Sequence, residues 1–158
     1  MANTVLDSTS TELERFHDAL DAARARGTAA YEALFDAPPE GLSVHEINLD
    51  RVLVRVSRGH EKLLGYTPDL MKGQPVSRFV VLKEASEAAM ARKLSGSRAL
   101  ETYARAFVKA DGSGITLLQL DRHILDAAGK ITGIRTVLTP IPTAPTSGSW
   151  TRPPGFPA

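Results

Sequence analysis

The run GLSVHEINLDRVLVRVSRGHEKLLGY, residues 41–66, changes period twice, and those changes decide the fold. Gly41–Ile47 alternates as a half-buried strand does, with Leu42, Val44 and Ile47 read as the inward set. His45 then points opposite to Val44 and is expected outward. Asn48-Leu49-Asp50 supplies a turn, and the β-branched run Val52–Val56 returns as the second strand of a hairpin. At Ser57 the period lengthens: a capped helix carrying His60, Leu63 and Leu64 stops at Gly65, and Thr67-Pro68 opens another short helix to Met71.

Downstream, Gly73 and Pro75 break the chain, residues 76–82 are apolar without a period, and Lys83–Leu94 (KEASEAAMARKL) has high helix propensity. Three further strands are predicted over Leu100–Val108, Ile115–Leu125 and Lys130–Leu138, separated by turns at Asp111-Gly112 and Ala128-Gly129. The order implies an α+β domain: a five-stranded antiparallel sheet with helices on one face.

Upstream, residues 10–26 read as a helix opened by Ser10 or Thr11 and closed by Arg24, Arg26 and Gly27. Leu6, Leu13, Phe16 and Leu20 form its narrow apolar stripe, which suits docking onto the sheet or pairing with a second copy. A shorter helix over Thr28–Asp36 ends at Pro38-Pro39. Residues 139–158 hold six prolines and one charge, Arg152. The chain therefore divides into an acidic N-terminal helix, 1–29, a central domain, 30–141, and a flexible tail, 142–158, whose Trp150 and Phe156 are its two aromatic residues.

The 158 residues contain no cysteine, which excludes disulfides, thiolate metal sites and thiol-linked chromophores. The net charge of +1 conceals an asymmetry. Residues 1–50 carry ten acids against three bases, or −7, and residues 51–158 carry eight acids against sixteen bases, or +8. Attraction between those parts is expected, within one chain or across a dimer. With no apolar leader and no spanning segment, the expected location is cytoplasmic, away from membranes.

Residues 41–66, Gly73, KADGS at 109–113 and DAAGKITGIRTVL at 126–138 together resemble the PAS sensor-domain family, in the family's order and over residues 30–141. The resemblance implies a curved sheet cupping a pocket, and a module that senses a ligand, light or redox state, or dimerises, and passes the change on. Two departures bear on output: Ser57 stands where many members have Asn, and Pro140-Ile141-Pro142 stands where many have Asp-Ile-Thr leading into an output helix. No kinase, cyclase or DNA-binding segment follows, so the expected output runs through a separate signalling protein or the N-terminal helix.

The residues named as pocket lining are Leu42, Val44, Leu53, Phe79, Met90, Leu94, Phe107, Leu118 and Val137; an ordinary filled core reads the same way. Those named for docking or homodimerisation are Leu6, Leu13, Phe16 and Leu20. No cofactor is assigned. A flavin adduct needs a cysteine, non-covalent flavin is a minor alternative, and haem in this family commonly takes a His from the helix at 83–94, which has Met90 but no His. No metal spacing, nucleophile elbow or phosphate loop occurs, and the bases are spread rather than clustered, against nucleic-acid binding. The chain therefore reads as a binding module rather than an enzyme; a small cone-shaped α+β enzyme would use Asp121 as its buried base.

Overall fold

A computed structural model describes residues 4–96 and 100–141, with side chains from Ser8 onward. The elements are α1 (Thr4–Arg26), α2 (Thr28–Asp36), β1 (Ser43–Asn48), β2 (Leu53–Val56), α3 (Gly59–Leu64), α4 (Pro68–Met71), a 3-10 turn (Val76–Phe79), α5 (Lys83–Leu94), β3 (Tyr103–Val108), β4 (Gly114–Leu125) and β5 (Ile131–Pro140). The strands form one antiparallel sheet in the order β2-β1-β5-β4-β3, so the two terminal hairpins meet through β1 and β5 at its centre. The expected α+β class and five-stranded sheet are present. The tail from residue 142 onward, including Trp150 and Phe156, lies outside the described residues.

Two apolar cores flank this sheet. The inner one, under α3, α4 and α5, contains Ile47, Leu53, Leu64, Met71, Phe79, Met90, Phe107 and Leu138. The outer one holds Leu13, Phe16 and Leu20 of α1 and Tyr31 and Phe35 of α2 against Leu42, Val44, Leu118, Leu120 and Val137. Helices thus cover both faces, three layers in all, where the sequence reading placed helices on one face preceded by a separate helix. The α1 stripe docks in cis: Leu13 and Leu20 are fully buried, worth about 2 kcal/mol each in transferred apolar surface. The side chain of Leu6 is outside the described residues.

Local chemistry explains several departures from the sequence reading. The helix starts at Thr4, so Ser10 is not its cap, and the Ser10 hydroxyl instead meets Thr102 Oγ1 at 2.6 Å. Nor does the Ser57 side chain cap α3; its Oγ accepts the Val44 N–H at 2.9 Å, tying the end of β2 to β1. Gly65 ends α3 with φ +85°, as expected of a residue tolerant of the left-handed region. A Cβ at Gly59 would lie 2.8 Å from the Leu42 carbonyl oxygen. That absent Cβ lets α3 approach β1 closely enough to place His60 beside His45.

Candidate functional site

Alternation along the strands puts Ser43, His45 and Ile47 of β1 on the inner face, with Tyr103, Arg105 and Phe107 of β3, Gln119 and Asp121 of β4, and Ile134 and Thr136 of β5. Most of these, with Met90 of α5, Val76 and Val80, line an internal cavity of about 10 Å³. That is the room of a single water molecule.

Asp121 is the hub. Buried at 5% exposure, it accepts from Lys93 Nζ at 2.5 Å and Tyr103 Oη at 3.0 Å through Oδ2, and from Thr136 Oγ1 at 2.6 Å through Oδ1. Lys93 comes from the last turn of α5 and places its Nζ 3.8 Å from the centre of the Tyr103 ring, so helix, β3, β4 and β5 converge on one carboxylate. Burial, reinforced by the Asp121 charge, pushes the Tyr103 phenol well above its ordinary range and keeps it a donor. Arg105 donates to Gln119 Oε1 at 3.1 Å and to Ser86 Oγ, and reaches Tyr103 Oη at 3.5 Å. Asp121, with both oxygens engaged by three donors, anchors these elements to one another.

A second chain of hydrogen bonds leads into the cavity. Ser57 Oγ lies 2.6 Å from Ser43 Oγ, Ser43 Oγ 2.5 Å from His60 Nδ1, and His60 Nε2 3.0 Å from His45 Nδ1. The arrangement that uses every hydroxyl hydrogen runs Ser57 to Ser43 to His60 to His45, and leaves the His45 Nε2–H as its terminal donor. Burial, with the Arg105 charge adding to it, pushes the His45 imidazole down to about 3; burial and then His45 put His60 well below its ordinary value. His45, expected to point outward, faces inward, because α1 and α2 cover the other face and hold Val44 there.

The outer face carries a clamp. Arg122 and Arg135 stand directly opposite each other on β4 and β5, a like-charge pair that destabilises a sheet unless acids meet it. Asp21 of α1 meets both, Oδ1 with Arg135 at 2.7 Å and Oδ2 with Arg122 at 2.8 Å, and Asp18 meets Arg122 at 2.8 Å. Those two arginines hold the Asp21 carboxyl below its usual range against the opposing pull of burial. His17 Nε2–H donates to the Leu120 carbonyl at 2.8 Å while Nδ1 accepts from Arg135 Nε at 3.1 Å, a neutral ring that burial lowers to about 4. The −7 and +8 of the sequence thus meet within one chain.

Of the named pocket residues, Met90 and Phe107 line the cavity, and Leu53, Phe79 and Leu94 pack in the inner core around it. Leu42, Val44, Leu118 and Val137 do not belong to it: they lie on the opposite face, under α1 and α2. Of the inward set Leu42, Val44 and Ile47, only Ile47 faces the cavity side, where it shares the register with the polar Ser43, His45, Gln119, Asp121 and Thr136. The legible signal was the α1 stripe itself, which needs an apolar sheet face to cover.

A sheet in the order 2-1-5-4-3, cupped on its inner face by three short helices around a cavity, is PAS architecture, and the chain folds as a PAS domain. Solved structures agree. A PAS domain from Colwellia psychrerythraea superposes with a TM-score of 0.61 at 17% identity, covering 70% of this chain and 92% of that one. The PAS domain of an HTR-like protein from Haloarcula marismortui gives 0.59 at 18%, covering 81% and 99%. A light-oxygen-voltage domain studied with a flavin analogue gives 0.57 at 19%, covering 75% and 88%. No family model and no curated protein matches the sequence.

Flavin and haem, the cofactors that this fold suggests, do not fit between these side chains. The cavity has the volume of one water, and the facing nitrogens of His45 and His60 are bonded to each other. Among the described residues no group of three or more His, Asp or Glu could hold a metal ion, and no helix is long and apolar enough to cross a membrane.

Proposed function

We propose that this chain is a PAS sensory and protein-interaction module of cytoplasmic signal transduction, in which the inner polar cluster receives the signal and α1 delivers it. The carrying observation is the adjacency of two rungs of β4 and β5. Asp121 and Thr136 pair on the inner face, and the next rung, Arg122 with Arg135, grips α1 on the outer face. A change in the hydrogen bonds of Asp121 shifts the spacing of that rung and hence the grip on Asp21.

In this reading the released α1 uncovers Leu42, Val44, Leu118, Leu120 and Val137. An apolar sheet face of that kind is a surface for a second copy of the chain, giving the homodimer, or for a separate output protein. While α1 is docked, Leu13, Phe16 and Leu20 are not available for pairing between copies. The module acts by binding rather than by catalysis.

Reversing the charge at the clamp tests this reading. In full-length Asp21→Lys, a third cation faces Arg122 and Arg135. Thermolysin is expected to cut within residues 8–26 at least about tenfold faster than in the wild type, a 1.4 kcal/mol shift in docking. Light scattering is expected to show mass rising with concentration above the 17.0 kDa of one chain. A variant as resistant and as small as the wild type overturns the role assigned to α1.

A further inference from the structure

A second concavity lies outside the inner cavity, between α5 and the outer edge of β3, with a volume of about 330 Å³. Small-molecule pockets begin at roughly this size, about 300 Å³. Along α5 its wall is formed by Leu82, Ala85, Ala89 and Arg92, successive positions on one helical face spanning about 15 Å. Across from them stand Ala104, Arg105 and Ala106 of β3. The lining is mostly small and apolar, includes two guanidinium groups, and includes no carboxylate among the described residues.

Arg105 separates the two spaces, lining both. Its hydrogen-bond partners, Gln119, Ser86 and Tyr103, are all neutral oxygens. Three of its five N–H groups are engaged, so a half-buried cation retains two donors and has no anionic partner among the described residues. The backbone adds another donor. Ala106 turns its carbonyl to the edge, where it accepts the Val81 N–H at 3.0 Å, and the two-residue period turns the Ala104 N–H to the same side.

We propose that this groove binds a small carboxylate with an apolar body, the carboxylate on Arg105 and the body running along Ala85 toward Leu82. A guanidinium with spare donors matches a carboxylate in charge and planar geometry. The small side chains of Ala85 and Ala89 on one side and the backbone edge of β3 on the other leave width for a single alkyl chain or ring. Strand addition by a peptide is disfavoured, because Val81 already occupies the edge at Ala106 and closes the ladder there.

The test is a titration of the ¹⁵N-labelled full chain with sodium octanoate, and with acetate and 1-octanol as probes lacking the body or the charge. Octanoate is expected to saturate at one per chain and to shift the amides of Ala85, Ala89, Ala104 and Ala106, with acetate and 1-octanol at least tenfold weaker. Arg105→Gln is expected to weaken octanoate at least tenfold. Ala85→Phe, an exposed position that leaves the Arg105 hydrogen bonds intact, is expected to abolish binding by filling the groove. Several results overturn the proposal: no saturation in the millimolar range, equal binding of acetate, indifference to both variants, or shifts centred on His45 and Ile134, which would place the ligand in the inner cavity. Binding of an uncharged extended peptide at the Ala104 and Ala106 amides, unchanged by Arg105→Gln, would mark strand addition and likewise overturn it.

Discussion

Acidification from pH 7 to pH 4.5 is expected to destabilise the domain steeply through its buried histidines. His17, His45 and His60 are all neutral in the folded protein, with His17 lowered to about 4, His45 to about 3 and His60 well below its ordinary value, chiefly by burial. In the unfolded chain each titrates near 6.5, so the stability tied to the neutral ring is complete above that pH and is lost as pH falls toward the folded value. The loss is about 1.4 kcal/mol per pH unit for each histidine that stays neutral, hence about 4 kcal/mol per unit for three. Against a total stability of about 5–15 kcal/mol, two units are enough to approach the midpoint. Asp21, lowered rather than raised, holds its contribution until the pH falls below its ordinary value of 3.8 and therefore does not oppose this loss. Urea midpoints measured from pH 7.5 to 4.5 check the slope. A flat dependence across pH 6.5–4.5 contradicts the buried neutral histidines.

Asp121→Ala is expected to be the most damaging single substitution in the inner cluster. It leaves the Lys93 ammonium, 3% exposed, without its carboxylate, and deprives Tyr103 and Thr136 of their acceptor. Removing one partner of a buried ion pair costs about 3–5 kcal/mol, whereas replacing both by apolar groups is often neutral or better. For a domain of this size that is a fall of about 10 °C in melting temperature. The double variant Asp121→Leu/Lys93→Met is expected to recover most of it. A single variant within about 1 kcal/mol of the wild type contradicts the placement of the pair; a double variant no better than the single one contradicts its cause.

The hairpin, the turns and the five strands were legible because period and punctuation are local: Asn48-Leu49-Asp50, Gly65, Asp111-Gly112 and Gly129 each act within a few residues. The face of each strand was not. Val44 and His45 alternate as read, but hydrophobicity marks the inner face only when the other face meets water, and here α1 covers it. Leu42, Val44, Leu118 and Val137 therefore went under α1, and the register that carries His45, Gln119 and Asp121 went toward the cavity. Asp121 was identified as an inward carboxylate, yet its partner Lys93 lies 28 positions away at the end of the helix over 83–94, and no local pattern links the two. The charge asymmetry was legible as a number. Its geometry, Asp21 bridging two arginines on opposed strands, required the sheet register.

In the proposed function, the inner cluster and the α1 clamp are coupled through neighbouring rungs of β4 and β5. Hydrogen exchange followed by mass spectrometry on full-length Thr136→Val tests it most directly, since that change removes one hydroxyl from Asp121 and touches nothing on the outer face. Exchange over α1, residues 8–26, is expected to be at least about threefold faster, with α5, residues 83–94, unchanged. Unchanged α1, or an equal acceleration in α1 and α5, would contradict it.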